Sequence, residues 1–118
     1  MLPAMAAQAA TETISGYTTA KTQATATKYN VVRKTTRTAV ELNPSNLLVQ
    51  NNVPFVHQLY YAVINEDGST LSTFRYFGGT GSYGTIISGI PVGKKFRASA
   101  YGYNSTIGDD YFAGTLKF

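Results

Sequence analysis

Several residue types that build functional sites are missing or scarce in this chain of 118 residues. It contains no cysteine and no tryptophan, and His57 is its only histidine. Without cysteine, disulfide scaffolds, thiolate metal sites and cysteine nucleophiles are excluded. A zinc site needs three or four side-chain ligands, so we expect no metal site and no cofactor. No segment approaches the roughly 20 apolar residues of a membrane-spanning helix, and we therefore expect no transmembrane segment.

Charged residues are also scarce, at 14% of the chain, against about 25% in typical globular domains. Thr, Ser, Asn, Gly and Tyr take their place, and these residues favour β-strands and turns. Polar but uncharged β-surfaces are typical of secreted and cell-surface proteins. We therefore expect the protein to be secreted or located at a cell surface.

The strongest local pattern lies in residues 83–103, which predict a strand, a tight turn and a second strand. Pro91 presets φ for the turn, and Gly93 can supply the positive φ that follows. After the turn, Phe96, Ala98 and Ala100 alternate with polar residues, so they share one face of a strand. This alternation predicts a β-sheet with one buried face and one solvated face.

The rest of the chain repeats this pattern of short strands separated by turn residues. No stretch has the 3.6-residue periodicity of a helix, and the spacing predicts seven to nine strands in an antiparallel sandwich. Residues 13–19, 23–32 and 55–65 are predicted strands, residues 43–46 a turn, and Asp67-Gly68 a hairpin. The predicted core comprises Val40, Leu42, Leu48, Leu59, Tyr61, Val63, Phe74, Ile86, Ile90, Phe96, Ala98, Ala100, Phe112 and Leu116.

The stretch from Ile87 to Tyr101, Ile-Ser-Gly-Ile-Pro-Val-Gly-Lys-Lys-Phe-Arg-Ala-Ser-Ala-Tyr, resembles the late hairpin of immunoglobulin-like bacterial surface domains. Fibronectin type III and Cna-B-type modules carry similar stretches. This chain differs from fibronectin type III modules because it contains no tryptophan. The resemblance implies an all-β, immunoglobulin-like antiparallel β-sandwich. It implies no particular function, because sandwiches host many unrelated activities.

The first ten residues differ from the remainder because they are small, apolar and uncharged. Ala-Met-Ala and Ala-Gln-Ala fit the pattern that precedes a signal-peptidase cut. We interpret residues 1–10 as a signal-peptide remnant or a disordered N-terminal extension. Residues 11–118 are then a single β-sandwich domain.

No arrangement of side chains indicates a reaction, and we expect no enzyme. The single histidine lies between apolar neighbours, which favours a structural role for His57 over a catalytic one. No Gly-x-Ser-x-Gly sequence is present. The two acidic pairs, Glu66-Asp67 and Asp109-Asp110, lie in glycine-containing loops, and turn chemistry explains them better than the alternative, weak calcium binding.

Positive charge is concentrated in the N-terminal third of the chain. No acidic residue lies between positions 13 and 40, whereas five basic residues do. This basic patch is a candidate surface for an anionic bacterial envelope. Its members are Lys21, Lys28, Arg33, Lys34 and Arg37.

The candidate ligand site is a surface that combines aromatic and basic side chains. By alternation, Arg97, Tyr101 and Tyr103 share one face of a strand, and Arg75 and Phe77 share a face of another. Such residues stack on sugar rings or bind an extended peptide.

The first functional hypothesis is a secreted, non-enzymatic binding or structural module at a cell surface. Its partners would be carbohydrate or protein. The alternative is a secreted bacteriocin-like or toxin-like protein that engages an anionic bacterial envelope, since its composition is similar to that of lactococcin-type bacteriocins. We do not expect nucleic acid as a partner, because the signatures of RNA-binding modules are absent.

Overall fold

The structure, a computed structural model, describes residues 9–49, 53–54, 58–103 and 109–118. Ten strands form within these ranges, and their only helix is one 3-10 turn over Gln23–Thr25. The strands are β1 (Thr11–Thr18), β2 (Thr27–Lys28), β3 (Arg33–Lys34), β4 (Ala39–Val49), β5 (Val53–Pro54), β6 (Gln58–Ile64), β7 (Arg75–Phe77), β8 (Gly84–Ser88), β9 (Lys95–Tyr103) and β10 (Asp110–Lys117).

The strands form two antiparallel sheets that pack face to face. In the first sheet the order is β1-β10-β4, and the other edge of β4 pairs with both β5 and β8. In the second sheet β9 and β6 lie at the centre, with β7 on one side and the short β2 and β3 on the other. The predicted all-β antiparallel sandwich is therefore confirmed.

The hydrophobic core lies between the two sheets. It is built by strict alternation, as in β6, where Leu59, Tyr61 and Val63 point inward. Twelve of the fourteen predicted core residues are buried. The two exceptions are Leu48 and Phe74, which are only half-buried.

A β-bulge explains the error at Leu48. The predicted turn at residues 43–46 lies inside the long strand β4, where Pro44 opposes Gly114 and Asn46 opposes Ala113. The extra residue between them reverses the alternation, so Leu47 enters the core in place of Leu48. A Cβ atom on Gly114 would lie 2.5 Å from the Asn43 carbonyl oxygen, and glycine is therefore required at this close approach.

The two predicted turns have different roles. Gly68, with a φ of +87°, turns the chain between β6 and β7, and the predicted hairpin is confirmed there. Gly93, with a φ of +84°, also turns the chain as predicted. Its flanking strands β8 and β9 lie in different sheets, however, so this turn joins the two layers and is not a hairpin.

The predicted strand over residues 23–32 is replaced by the 3-10 turn, the short strand β2 and a bulge that leads into β3. The amide of Tyr29 donates to the carbonyl of Ala98, and Arg33 pairs with Phe96. The four residue positions from Tyr29 to Arg33 therefore lie opposite only two positions of β9, from Ala98 to Phe96. The two extra residues lie within 30–32 and bulge out of the edge of the second sheet.

Candidate functional site

Three tyrosines form a row across the outer face of the second sheet. Tyr60 lies on the central strand β6 and pairs directly with Tyr101 of β9 and with Tyr76 of β7. The rings of Tyr60 and Tyr101 are parallel, with their centroids 4.6 Å apart, and Tyr76 meets Tyr60 edge-on at 5.8 Å. We call Tyr60, Tyr76 and Tyr101 the tyrosine row.

Phe74 extends the tyrosine row at its far end. Its ring meets that of Tyr101 edge-on at a centroid distance of 5.1 Å. Phe74 lies two residues before Tyr76, and alternation along the chain therefore places both rings on the outer face. The Ser72 hydroxyl accepts a hydrogen bond from the Val63 amide, and the Ser72 amide donates to the Val63 carbonyl. These bonds hold the segment that precedes β7 against β6.

The row is partly accessible to solvent. Tyr76 is 50% exposed, and Tyr60 and Tyr101 are half-buried. Burial, together with the neighbouring Tyr60, raises the pKa of Tyr101 above its ordinary value. Its hydroxyl group is therefore uncharged at neutral pH. The row presents aromatic edges and faces together with hydroxyl groups that can donate or accept hydrogen bonds.

A polar cleft of about 280 Å³ adjoins the row at Tyr76. Arg75 and the glycine-rich loop over residues 78–84 line its walls. The guanidinium group of Arg75 donates a hydrogen bond of 3.2 Å to the carbonyl of Thr85 in the opposite sheet. A Cβ atom on Gly84 would lie 2.7 Å from both Arg75 and Phe77, so only glycine leaves room for the Arg75 side chain here.

The structure brings some of the predicted site residues into this region. Tyr101 belongs to the tyrosine row, whereas Arg75 lines the cleft next to Tyr76 from the inner side of β7, where it pairs with Tyr61 and contacts the opposite sheet. Tyr103 lies two residues further along β9, opposite Gln58, and its side chain is outside the described part of the structure. The prediction that Phe77 belongs to the ligand site was wrong, because its side chain is only 6% exposed and belongs to the core.

Arg97 lies on the predicted face but is engaged by the protein itself. Its guanidinium group donates to the carbonyls of Tyr29 and Glu66, at 2.8 and 2.9 Å, and to the side-chain oxygen of Asn30 at 3.3 Å. These bonds hold the bulged segment and the hairpin loop against β9. Arg97 therefore stabilises the structure around the site, and its hydrogen-bonding groups face protein partners.

Sequence reasoning missed Tyr60, Tyr76 and Phe74 as members of the site. The signal for Tyr60 and Tyr76 was the alternation itself, because each is flanked by residues of the inner face. Phe74 carries the same signal, because it lies two residues before Tyr76 and shares its face.

The predicted basic patch is largely neutralised by ion pairs. Lys21 pairs at 2.5 Å with the buried Asp110, Arg33 pairs with Glu12, and Arg37 pairs at 2.9 Å with Glu41. Among the described residues, no ion pair involves Lys28 or Lys34. The patch is therefore not a continuous cationic surface of five residues.

No protein-family model, curated protein or solved structure matches this chain. In the described ranges, no group of three acidic or histidine side chains is positioned to hold a metal ion. The same residues contain no helix that is long and apolar enough to cross a membrane. His57 lies outside the described residues, and its structural role stays a prediction.

Proposed function

We propose that this protein is a secreted, non-enzymatic binding module that acts at a cell surface and binds carbohydrate on the tyrosine row. The observation that carries the proposal is the position of the row. Tyr60, Tyr76 and Tyr101 lie on the face of the second sheet that points away from the core. Their rings contact one another and Phe74, and Tyr76 keeps half of its surface exposed.

The dimensions and chemistry of the row suit a sugar chain. Neighbouring strands lie about 4.8 Å apart, so three strands give a row of roughly 10 Å. Tyrosine combines a flat apolar ring with a polar tip, which suits the apolar face and the hydroxyl groups of a sugar. In the adjoining cleft, Arg75 supplies a planar cation of the kind that binds carboxylate or phosphate. An acidic cell-surface polysaccharide therefore fits the site best, and an extended peptide is the other candidate ligand.

The assignment of the sandwich to a particular type of strand connectivity is also a proposal. Two packed antiparallel sheets are compatible with the immunoglobulin-like sandwich that residues 87–101 imply. The strand order favours a different connectivity from the immunoglobulin-like one, and we infer the double Greek key of a jelly roll. The first and last strands pair with each other, and every connection except β2–β3, β4–β5 and β6–β7 crosses between the sheets. This placement supports no function by itself, because one fold hosts many activities.

Binding can be tested with an array of neutral and acidic polysaccharides, followed by titration calorimetry. We expect binding by the natural protein and a loss of about tenfold or more on Tyr76→Ala substitution, as for a contact hot spot. Tyr17→Ala is the matched control, because Tyr17 is also exposed and pairs across strands with Tyr111 at 5.0 Å on the first sheet. Equal losses in both variants, or no binding to any polysaccharide, would contradict the proposal.

The second candidate function, a secreted antibacterial or toxin-like protein, is favoured by one observation. The three described ion pairs leave an excess of positive charge in the rest of the chain. Growth inhibition of related bacteria at low concentration would support this candidate. Inert behaviour together with polysaccharide binding would support the first.

A further inference from the structure

One end of the sandwich carries exposed aliphatic side chains that the core does not use. Val31 and Val32 lie in the bulge between β2 and β3, and Val92 lies in the turn before β9. They are 55%, 45% and 62% exposed, respectively. Among the described residues, every other strongly exposed large hydrophobic side chain is a tyrosine. The exposed aliphatic surface is therefore confined to two neighbouring segments.

Hydrogen bonds of the buried Thr35 tie these two segments together. The Thr35 hydroxyl donates to the carbonyl of Pro91 at 2.7 Å and accepts from the amide of Lys94 at 2.9 Å. The Thr35 amide donates to the carbonyl of Lys94, and its carbonyl accepts from the amide of Gly93. The bulge and the turn are therefore held as one rigid surface.

Lysines follow the valines in both segments of the chain. Lys34 of β3 pairs directly with Lys95 of β9, and Lys94 precedes it in the turn. Two like charges in opposite positions destabilise a sheet. No described ion pair involves any of the three lysines. We call Val31, Val32, Lys34, Val92, Lys94 and Lys95 the basic-aliphatic end.

The charge balance around this end is positive. Lys28 and Arg97 lie beside Gly68 in the adjacent hairpin loop, which raises the number of cations to five. The acidic residues of that loop are Glu66 and Asp67. The Asp67 carboxylate accepts hydrogen bonds from Ser69, which lower the pKa of Asp67, and Lys94 lowers it further. Five cations against two carboxylates leave an excess of three positive charges.

We propose that the basic-aliphatic end docks onto the surface of an anionic lipid bilayer. The lysines would contact the anionic headgroups, and the valines would insert at the boundary between headgroups and acyl chains. The valines favour a bilayer over a nucleic acid, since bases are bound by stacking on aromatic rings. This surface lies about 20 Å along β9 from the tyrosine row, and the inference does not rest on carbohydrate binding.

Co-sedimentation with lipid vesicles tests the proposal. We expect binding to vesicles that contain equal parts of phosphatidylcholine and phosphatidylglycerol, and no binding to phosphatidylcholine alone. The double substitution Lys34→Glu with Lys95→Glu should weaken binding about tenfold or more. Lys117→Glu is the matched control because Lys117 lies on the first sheet, over the ring of Tyr83. This substitution should weaken vesicle binding less.

Substitution of the valines separates insertion from simple charge attraction. Val31→Ser with Val92→Ser keeps the charge and should still weaken binding severalfold. A Val92→Trp variant should shift its fluorescence to shorter wavelength on adding the mixed vesicles. Unchanged binding by the serine variant, or no spectral shift, would overturn insertion, as would equal affinity for DNA. Absence of binding to the mixed vesicles would overturn the proposal altogether.

Discussion

The two faces of the second sheet carry the same residue types but use them differently. Tyr61 and Tyr60 are neighbours on β6, yet Tyr61 is buried in the core and Tyr60 lies in the tyrosine row. The Tyr61 ring meets Phe112 of the opposite sheet edge-on at 5.8 Å. Within the described part of the chain, the ring pairs of the row all involve aromatic residues of its own sheet and the connecting loop.

This difference shows that aromatic content alone does not identify a binding surface. An inner ring links two sheets, and its removal leaves a cavity in a closely packed interior. An outer ring contacts one sheet, and its removal leaves no enclosed cavity. Substitutions on the inner face should therefore affect folding, and those on the outer face should affect binding.

The largest effect is expected at Phe96, on the inner face. Its side chain is fully buried, and its ring contacts that of Phe118 at 5.6 Å. Phe96→Ala should lower the free energy of unfolding by about 3–5 kcal/mol, measured by urea denaturation. A loss below about 1 kcal/mol would place Phe96 on the wrong face of the sheet.

Alkaline pH should also lower the stability of the protein, through Tyr61 and Tyr29. Burial raises the pKa of Tyr61 and of Tyr29 above the ordinary tyrosine value of 10.0. Above pH 10 these hydroxyls ionise in the unfolded chain but stay protonated in the folded protein, so stability falls as the pH rises. The slope reaches at most about 1.4 kcal/mol per pH unit for each tyrosine.

Urea denaturation at several pH values above 10 measures that slope. Tyr61→Phe removes one of the two ionising groups and should make the slope shallower. The same slope in the variant and the natural protein would contradict this account of Tyr61.

A smaller loss of stability is expected for Tyr101, in the middle of the outer row. Its ring stacks on Tyr60 and meets Phe74 edge-on. Ring pairs of this kind contribute about 0.5–1.5 kcal/mol each, so the loss of two pairs in Tyr101→Ala should lower the free energy of unfolding by about 1–3 kcal/mol. A loss as large as that of Phe96→Ala would show that the outer face is buried under another part of the chain.

The smallest effect on stability is expected for Tyr76, the most exposed member of the row. Tyr76→Ala should lower the free energy of unfolding by about 0.5–1 kcal/mol, because it loses only the ring pair with Tyr60. The melting temperature of the variant, compared with that of Tyr101→Ala, measures the difference. A lower melting temperature for Tyr76→Ala than for Tyr101→Ala would contradict the greater burial of Tyr101.

Much of the sandwich could be predicted from local patterns. Alternation in β9 correctly placed Phe96, Ala98 and Ala100 in the core, because side chains of a strand necessarily point to opposite faces. The prediction was wrong where strands interact over long distances. The bulge that moves Leu47 inward is set by the register between β4 and β10, which no local pattern contains.

The candidate site was predicted only in part for the same reason. Tyr101 follows from alternation in β9, but Phe77 was assigned to the surface because the inner face of the short strand β7 was not apparent. Arg97 lies on the predicted face, yet its three hydrogen-bond partners come from two distant loops. Whether a cation is available to a ligand depends on such partners, and they are brought to it only by folding.

The sequence by itself determined the fold class of the protein and which residues share a face of each principal strand. Residue spacing fixes which side chains share a face, and turn residues such as Gly68 and Gly93 fix where the chain reverses. Only the tertiary structure decided which strands pair and which charges are neutralised. Asp110 and Glu12 reach Lys21 and Arg33, which lie 89 and 21 residues away along the chain, only when the strands fold together. Electrostatic pairing depends on distance in space, and distance along the chain does not determine it.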